Sequence, residues 1–285
     1  MNKKVTVKTI QKIKDSGEKF SVLTAYDFST AKYIDEAGVD IILIGDSLAM
    51  VALGYDTTHF VGVEEMEIFT KAVARGTERA MVVTDMPFMS YNVSVEDALK
   101  NTSRMLKAGA SAVKIEGANE HILKVITRCV QSGIPVMGHL GFTPQLLNTI
   151  GGYNIQGKSL DTTLEILECA KKLEDAGVFS IVLEMVPEES AQFICENLKV
   201  PVISCGAGKY CAGQVLVSDD VFGKYSEFKP KFARKYGDMK TLILNCAKQF
   251  NTDVKNGSFP SAEEAFHLKE EELEQLELYK GSVKC

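Results

Sequence analysis

The sequence predicts an α/β protein, a (β/α)8 TIM barrel, on three observations. Eight short apolar runs rich in β-branched residues recur along the chain, stretches with apolar spacing near 3.6 stand between most of them, and a glycine follows five of those stretches. The runs are 21–25, 40–44, 80–84, 111–115, 135–138, 180–183, 201–204 and 214–217. Each is short and continuous, as strands buried on both faces of a parallel sheet are. The helical stretches are 31–37, 63–75, 95–108, 120–131, 160–176 and 189–198. Gly38, Gly76, Gly109, Gly133 and Gly177 close five of them, each supplying the left-handed residue that ends a helix before the next strand. An open doubly wound sheet shares this local pattern, but no G-x-G-x-x-G follows the first strand.

Two places break the repeat. Between Ser204 and Gln214 there is too little chain for a full helix. Residues 261–285 form an acidic helical tail whose Phe266, Leu273 and Leu276 give it one apolar stripe. An N-terminal helix precedes the first strand. The expected organisation is therefore one barrel domain over 1–260 and an extension over 261–285.

Composition narrows the function. With 285 residues, 45% apolar and 25% charged, the chain has a globular make-up. Its 32 Lys and Arg against 38 Asp and Glu give −6, which is not the footprint of a nucleic-acid binder. No run of apolar residues is long enough to span a membrane. The basic start MNKKVTVKTIQKIKDSGEKF lacks the apolar centre of a secretory signal. The seven cysteines are odd in number, scattered and free of C-x-x-C spacing. That usage reads as free thiols in a reducing cytosol.

In a barrel the active site lies where the strands end at their C-termini. Those exits carry Asp46 and Ser47 after the second strand, Asp85 after the third, Lys114 and Glu116 on the fourth, His139 on the fifth and Glu184 on the sixth. The seventh leads into Cys205-Gly206-Ala207-Gly208. Strand alternation points Lys114 and Glu116 to one face and Val113 and Ile115 to the other. The apolar pair suits the helix layer, so Lys114 and Glu116 face the barrel mouth. A lone Asp at a strand end is usually a helix cap. Three carboxylates crowded together repel unless a cation joins them, and an all-oxygen set suits Mg²⁺ or Mn²⁺.

At these residues the chain resembles the ketopantoate hydroxymethyltransferase family. The matching segments are LTAYD from Leu23, GDSL from Gly45, DMPFM from Asp85, VKIEG from Val113, GHLG from Gly138 and TPQ from Thr143. They continue with GGY from Gly151, QG from Gln156, LE from Leu183, VP from Val186, GAG from Gly206, GQ from Gly213 and PKF from Pro230. They run in order over roughly residues 5 to 260. The resemblance implies a (β/α)8 barrel that binds Mg²⁺ through Asp46, Asp85 and Glu116. It implies that Asp46, Ser47, Asp85 and Lys114 contact a 2-oxo acid and that Glu184 accepts a proton. His139 is expected to hydrogen-bond the substrate or order a water.

The implied reaction moves a one-carbon unit from 5,10-methylenetetrahydrofolate to 3-methyl-2-oxobutanoate, giving 2-dehydropantoate on the way to pantothenate and coenzyme A. The resemblance also implies a cytoplasmic homodecamer. Ala49, the stretch Thr58-His59-Phe60-Val61-Gly62, Phe142, Ser204-Cys205 and Ala212 depart from the family's usual residues. They bear on the folate side and on loop geometry. The alternative enzyme reading is a Mg²⁺-dependent lyase or mutase acting on a 2-oxo acid without folate. The non-catalytic alternative is a barrel serving assembly or metabolite binding, against which the intact set of acidic and basic residues argues.

Overall fold

The computed structural model describes residues 3–224 and 230–282; the last three residues of the expected tail, Cys285 among them, lie outside that range. The elements follow the predicted alternation. They are α1 (Val7–Asp15), β1 (Phe20–Thr24), α2 (Phe28–Glu36), β2 (Ile41–Ile44), α3 (Leu48–Val51), α4 (Val63–Gly76) and β3 (Met81–Asp85). Then come α5 (Val95–Lys107), β4 (Ala112–Glu116), α6 (Glu120–Gln131), β5 (Val136–Gly141), α7 (Leu147–Ile150), α8 (Leu160–Asp175) and β6 (Ser180–Glu184). The series ends with α9 (Glu188–Glu196), β7 (Val202–Cys205), β8 (Gly213–Leu216), α10 (Ser218–Phe222), α11 (Met239–Asn256) and α12 (Glu270–Ser282). No helix among the described residues is long and apolar enough to cross a membrane.

The eight strands close into one parallel barrel in sequence order, β8 pairing back onto β1. Side-chain parity sorts the core into two layers. Ile42, Ile44, Val82, Val113, Ile115, Ile181 and Leu183 pack outward with the helix layer. Phe20, Val22, Ile41, Leu43, Met81, Val83, Met137, Val182 and Ile203 fill the interior together with Val5 and Ile10. Ile10 sits on α1 and is wholly buried, so the N-terminal helix closes the barrel's lower end.

Local signals explain most boundaries. Asp27 caps α2 by accepting from the Thr30 amide at 2.8 Å, which starts that helix three residues before the apolar period alone does. Gly38, Gly109, Gly133 and Gly177 take positive φ after their helices, as expected. Gly76 does not. It is the last residue of α4, and a Cβ there would stand 2.4 Å from the Phe28 carbonyl oxygen. Its role is close approach of α4 to α2, not a left-handed turn. Residues 206–212 carry no helix between β7 and β8, as the short spacing required.

Contacts divide the chain into two compact units, residues 1–237 and 238–285, earlier than the expected boundary at 260/261. The first contains the whole barrel. The second holds α11, with Asp238 as its N-cap, and α12, whose first turn is Glu270, Glu271 and Glu272. The apolar spacing missed α11 because none of its residues is buried. Phe266, Leu273 and Leu276 are exposed.

Candidate active site

Strand register sets the site. On six of the eight strands the interior row ends at the mouth in a polar side chain or a thiol: Thr24, Asp85, Glu116, His139, Glu184 and Cys205. Register then pairs these ends across strands. Asp85 lies opposite Lys114, Glu116 opposite His139, and Glu184 opposite Cys205. Asp46 and Ser47 follow β2 in the turn into α3. Asp46, Asp85, Lys114, Glu116 and His139 are all buried. A cleft of about 170 Å³ opens over them, lined among others by Asp46, Ser47, Asp85, Lys114, His139 and Glu184.

The charged groups interlock. The Asp46 amide donates to Asp85 Oδ2 at 3.1 Å, and Lys114 Nζ stands 3.0 Å from Asp85 Oδ1 and 3.9 Å from Glu116 Oε1. His139 Nδ1 lies 3.1 Å from Glu116 Oε1 and 3.3 Å from Lys114 Nζ. A protonated Nδ1 donates to Glu116, whereas a bare one accepts from Lys114. His139 Nε2 is 3.3 Å from Glu184 Oε2, so the two ring nitrogens face two different carboxylates. Asp85 Oδ1 and His139 Nε2 are thus held in ion pairs, to Lys114 and Glu184, rather than left alone in the site.

Electrostatics follow from burial. Burial pushes the Asp46 carboxyl well above the usual carboxylate range, and the charges of Asp85 and Glu116 add to the shift. Burial also raises Asp85, against the pull of Lys114. Burial opposes the charge on Lys114, but Asp85, Glu116 and Asp46 together raise its pKa above the ordinary lysine value. In the same way burial and Lys114 pull His139 down, yet Glu116 and Glu184 carry it up to about 9. Glu116 is held below its ordinary value, His139 and Lys114 outweighing its burial.

The predicted residues therefore come together, with one difference. Among the described residues no group of three or more His, Cys, Asp or Glu side chains is gathered to hold a metal ion. Asp46 and Asp85 adjoin each other, while Glu116 is engaged by His139 and by the Gln145 amide at 3.1 Å. Lys114 and His139 stand among the carboxylates and supply the positive charge there.

Sequence reasoning missed the residue that ties the site together. Gln145 is buried and donates through Nε2 to Asp46 Oδ2 and to the Met86 carbonyl, both at 2.9 Å. It accepts from the Tyr91 hydroxyl at 2.6 Å, and its carbonyl contacts His59 Nε2 at 2.9 Å. The available signal was its place in Thr143-Pro144-Gln145, directly after β5. Tyr26 likewise orients Ser47, the two hydroxyls being 2.9 Å apart.

The family described as Ketopantoate hydroxymethyltransferase matches residues 4–262 of this chain. A 3-methyl-2-oxobutanoate hydroxymethyltransferase of Caldicellulosiruptor saccharolyticus is 50% identical over 263 residues, covering 92% of this chain and 99% of that protein. Its counterpart from Thermosipho melanesiensis is 53% identical, covering 87% and 94%. Among solved structures, a phosphonopyruvate hydrolase in complex with oxalate and Mg²⁺ superposes with a TM-score of 0.59 at 14% identity, covering 91% and 93%. A 2,3-dimethylmalate lyase of the PEP mutase/isocitrate lyase superfamily gives 0.58 at 14%, covering 98% and 96%. At that identity the two structures attest the barrel fold alone.

Proposed function

Because the chain belongs to the ketopantoate hydroxymethyltransferase family, we propose that its barrel mouth binds 3-methyl-2-oxobutanoate and adds to it the one-carbon unit of 5,10-methylenetetrahydrofolate. The product is 2-dehydropantoate, in pantothenate and coenzyme A synthesis. The observation that carries this reading is the convergence of Asp46, Asp85, Lys114, His139 and Glu184 on one cleft.

The donor set fits a hard divalent cation such as Mg²⁺. Asp46 and Asp85 are adjacent and buried, and burial raises both carboxyls, so a cation between them relieves a cost that Lys114, 3.0 Å from Asp85 Oδ1, meets only in part. Asp46 and Asp85 would hold the ion directly, with Glu116 behind them, braced by His139 and the Gln145 amide. When bound, the ion polarises the 2-oxo acid and acidifies its C3–H, each pKa unit being worth about 1.4 kcal/mol.

The chain's own groups do the rest. Lys114 sets a fixed positive charge beside the oxo acid's oxygens, where negative charge grows as C3 loses its proton. The buried His139 Nε2 donor and the Ser47 hydroxyl orient the substrate. Glu184 lies at the edge of the cleft, its side chain 17% exposed, and accepts the C3 proton. One water cleaves the two bonds from the methylene carbon to the folate nitrogens, leaving tetrahydrofolate and a one-carbon aldehyde. The substrate enolate adds to that carbon, and the aldehyde oxygen takes the proton from Glu184 to become the new hydroxyl. Apolar walls, Leu43, Val182 and Val215 among them, line the cleft beside these groups. The same reading assigns the protein a homodecameric assembly and a cytoplasmic site of action, checked by light scattering and by fractionation.

The test is a turnover assay with and without folate and Mg²⁺. Conversion should require both; turnover of an oxo acid without folate would favour a lyase or mutase instead. In Glu184→Gln, oxo acid binding should persist while C3 exchange with solvent deuterium falls by about 10²-fold or more. Wild-type exchange in that variant rules Glu184 out as the base.

A further inference from the structure

Far from the mouth, two cysteines face each other at the barrel's lower end. Cys195 is in the last turn of α9, and Cys211 lies in the helix-free segment just before β8. Both are free thiols, and their sulfurs are 3.5 Å apart. Lys19 pins the Cys211 segment, its Nζ donating to the Cys211 carbonyl at 2.8 Å and to that of Tyr210 at 3.2 Å. Cys211 is buried, whereas Cys195 is half-buried and lines a cleft with Lys14, Lys19 and Tyr210. We propose that Cys195 and Cys211 form an oxidisable dithiol, a site of reversible thiol modification that takes a small peroxide as its co-reactant.

The two sulfurs have different roles. The contact with Cys211 holds the Cys195 thiol below its ordinary pKa despite burial, and Lys19 and Lys14 act in the same direction. Cys211 is shifted up, by Cys195 and by burial. The accessible member is therefore the better thiolate, and the buried one stays a thiol. Cys195 attacks one peroxide oxygen. The O–O bond breaks, hydroxide leaves and takes a proton to become water, and Cys195 becomes a sulfenic acid. Cys211 then attacks that sulfur. The S–O bond breaks, a second water leaves with the Cys211 proton, and an S–S bond forms. Two thiols lose two electrons, and one peroxide becomes two waters. The sulfurs must close by about 1.5 Å to reach bonding distance. The bond would fasten the end of α9 to the segment entering β8, and a dithiol reductant would release it.

Hydrogen peroxide, added to the full chain in a Cys246→Ser background, tests the proposal. That background removes an exposed thiol able to cross-link copies. Alkylation and peptide mapping should show one intramolecular link between Cys195 and Cys211, lost on adding dithiothreitol. Cys211→Ser should leave Cys195 as a sulfenic acid trapped by a 1,3-diketone. Cys195→Ser should abolish the link and leave the turnover of the reduced protein unchanged. If both cysteines stay alkylatable while other thiols oxidise, the proposal fails. It fails too if Cys195 links elsewhere or proceeds to sulfinic acid with Cys211 intact. Should Cys211→Ser not fold, the wild-type map and Cys195→Ser still decide.

Discussion

The floor and the mouth of the barrel are built from the same inward-facing rows yet obey opposite rules. At the floor Phe20, Ile41 and Met81 meet Val5 and Ile10, apolar groups that gain by leaving water. Toward the other end of the barrel's strands, Asp85, Lys114, Glu116 and His139 are buried too. There burial works against charge, and Asp46 and Asp85 are both pushed toward their protonated forms. Stability is concentrated at one end of each strand, and chemistry is bought with some of it at the other.

Paired substitutions can break that contrast. Asp46→Asn should lower turnover by on the order of 10²-fold or more, since it removes a proposed cation ligand. The same change should raise the melting temperature of the metal-free protein, because it deletes a charge that burial, Asp85 and Glu116 all oppose. Ile41→Ala should do the reverse. Ile41 is fully buried, so its truncation should cost about 2–5 kcal/mol in denaturant unfolding. Turnover per folded molecule should stay within about twofold, the site being distant. Metal-free melting curves in which Asp46→Asn loses as much stability as Ile41→Ala would erase the distinction.

The floor was more legible than the mouth, for a physical reason. Period-two and period-3.6 patterns report apolar burial, and the floor is mostly that, closed by eight strands. At the mouth, alternation placed Lys114 and Glu116 inward because their neighbours Val113 and Ile115 are outward. It gave no account of Gln145, a neutral residue beyond its strand whose importance comes from four partners distant in sequence. Alternation brought Lys114 in beside the carboxylates, but nothing in the pattern said that His139 would engage Glu116. Gly76 misled because a glycine after a helix usually ends it; here the backbone of α2 is simply too near for a side chain.

Gln145 sharpens the comparison, since it belongs to the mouth but acts as structure. Gln145→Ala would leave the Tyr91 hydroxyl and one Asp46 oxygen without their partners. A loss of about 1–3 kcal/mol is expected in denaturant unfolding. With Asp46 no longer held, the half-saturating Mg²⁺ concentration should rise more than maximal turnover falls. Equal effects on both would mean that Gln145 only fills space.

The smallest effect sits at the rim, where burial is incomplete. Asp220, on α10, lines the cleft, and burial followed by the charge of Asp219 raises its pKa from 3.8 to about 6. A carboxyl with a raised pKa in the folded state stabilises the fold while protonated. That contribution is whole below about pH 3.8 and is lost as the pH climbs through about 6. Asp220→Asn removes the titration, so the variant should gain on the wild type between pH 4 and pH 7.5. The full shift overstates the gain because the group is partly solvated, and about 1 kcal/mol is the expected size. Unfolding at several pH values measures it. A difference that stays flat across this window would show the rim carboxyl to be as free as one in water, and the cost of buried charge would then be confined to Asp46 and Asp85.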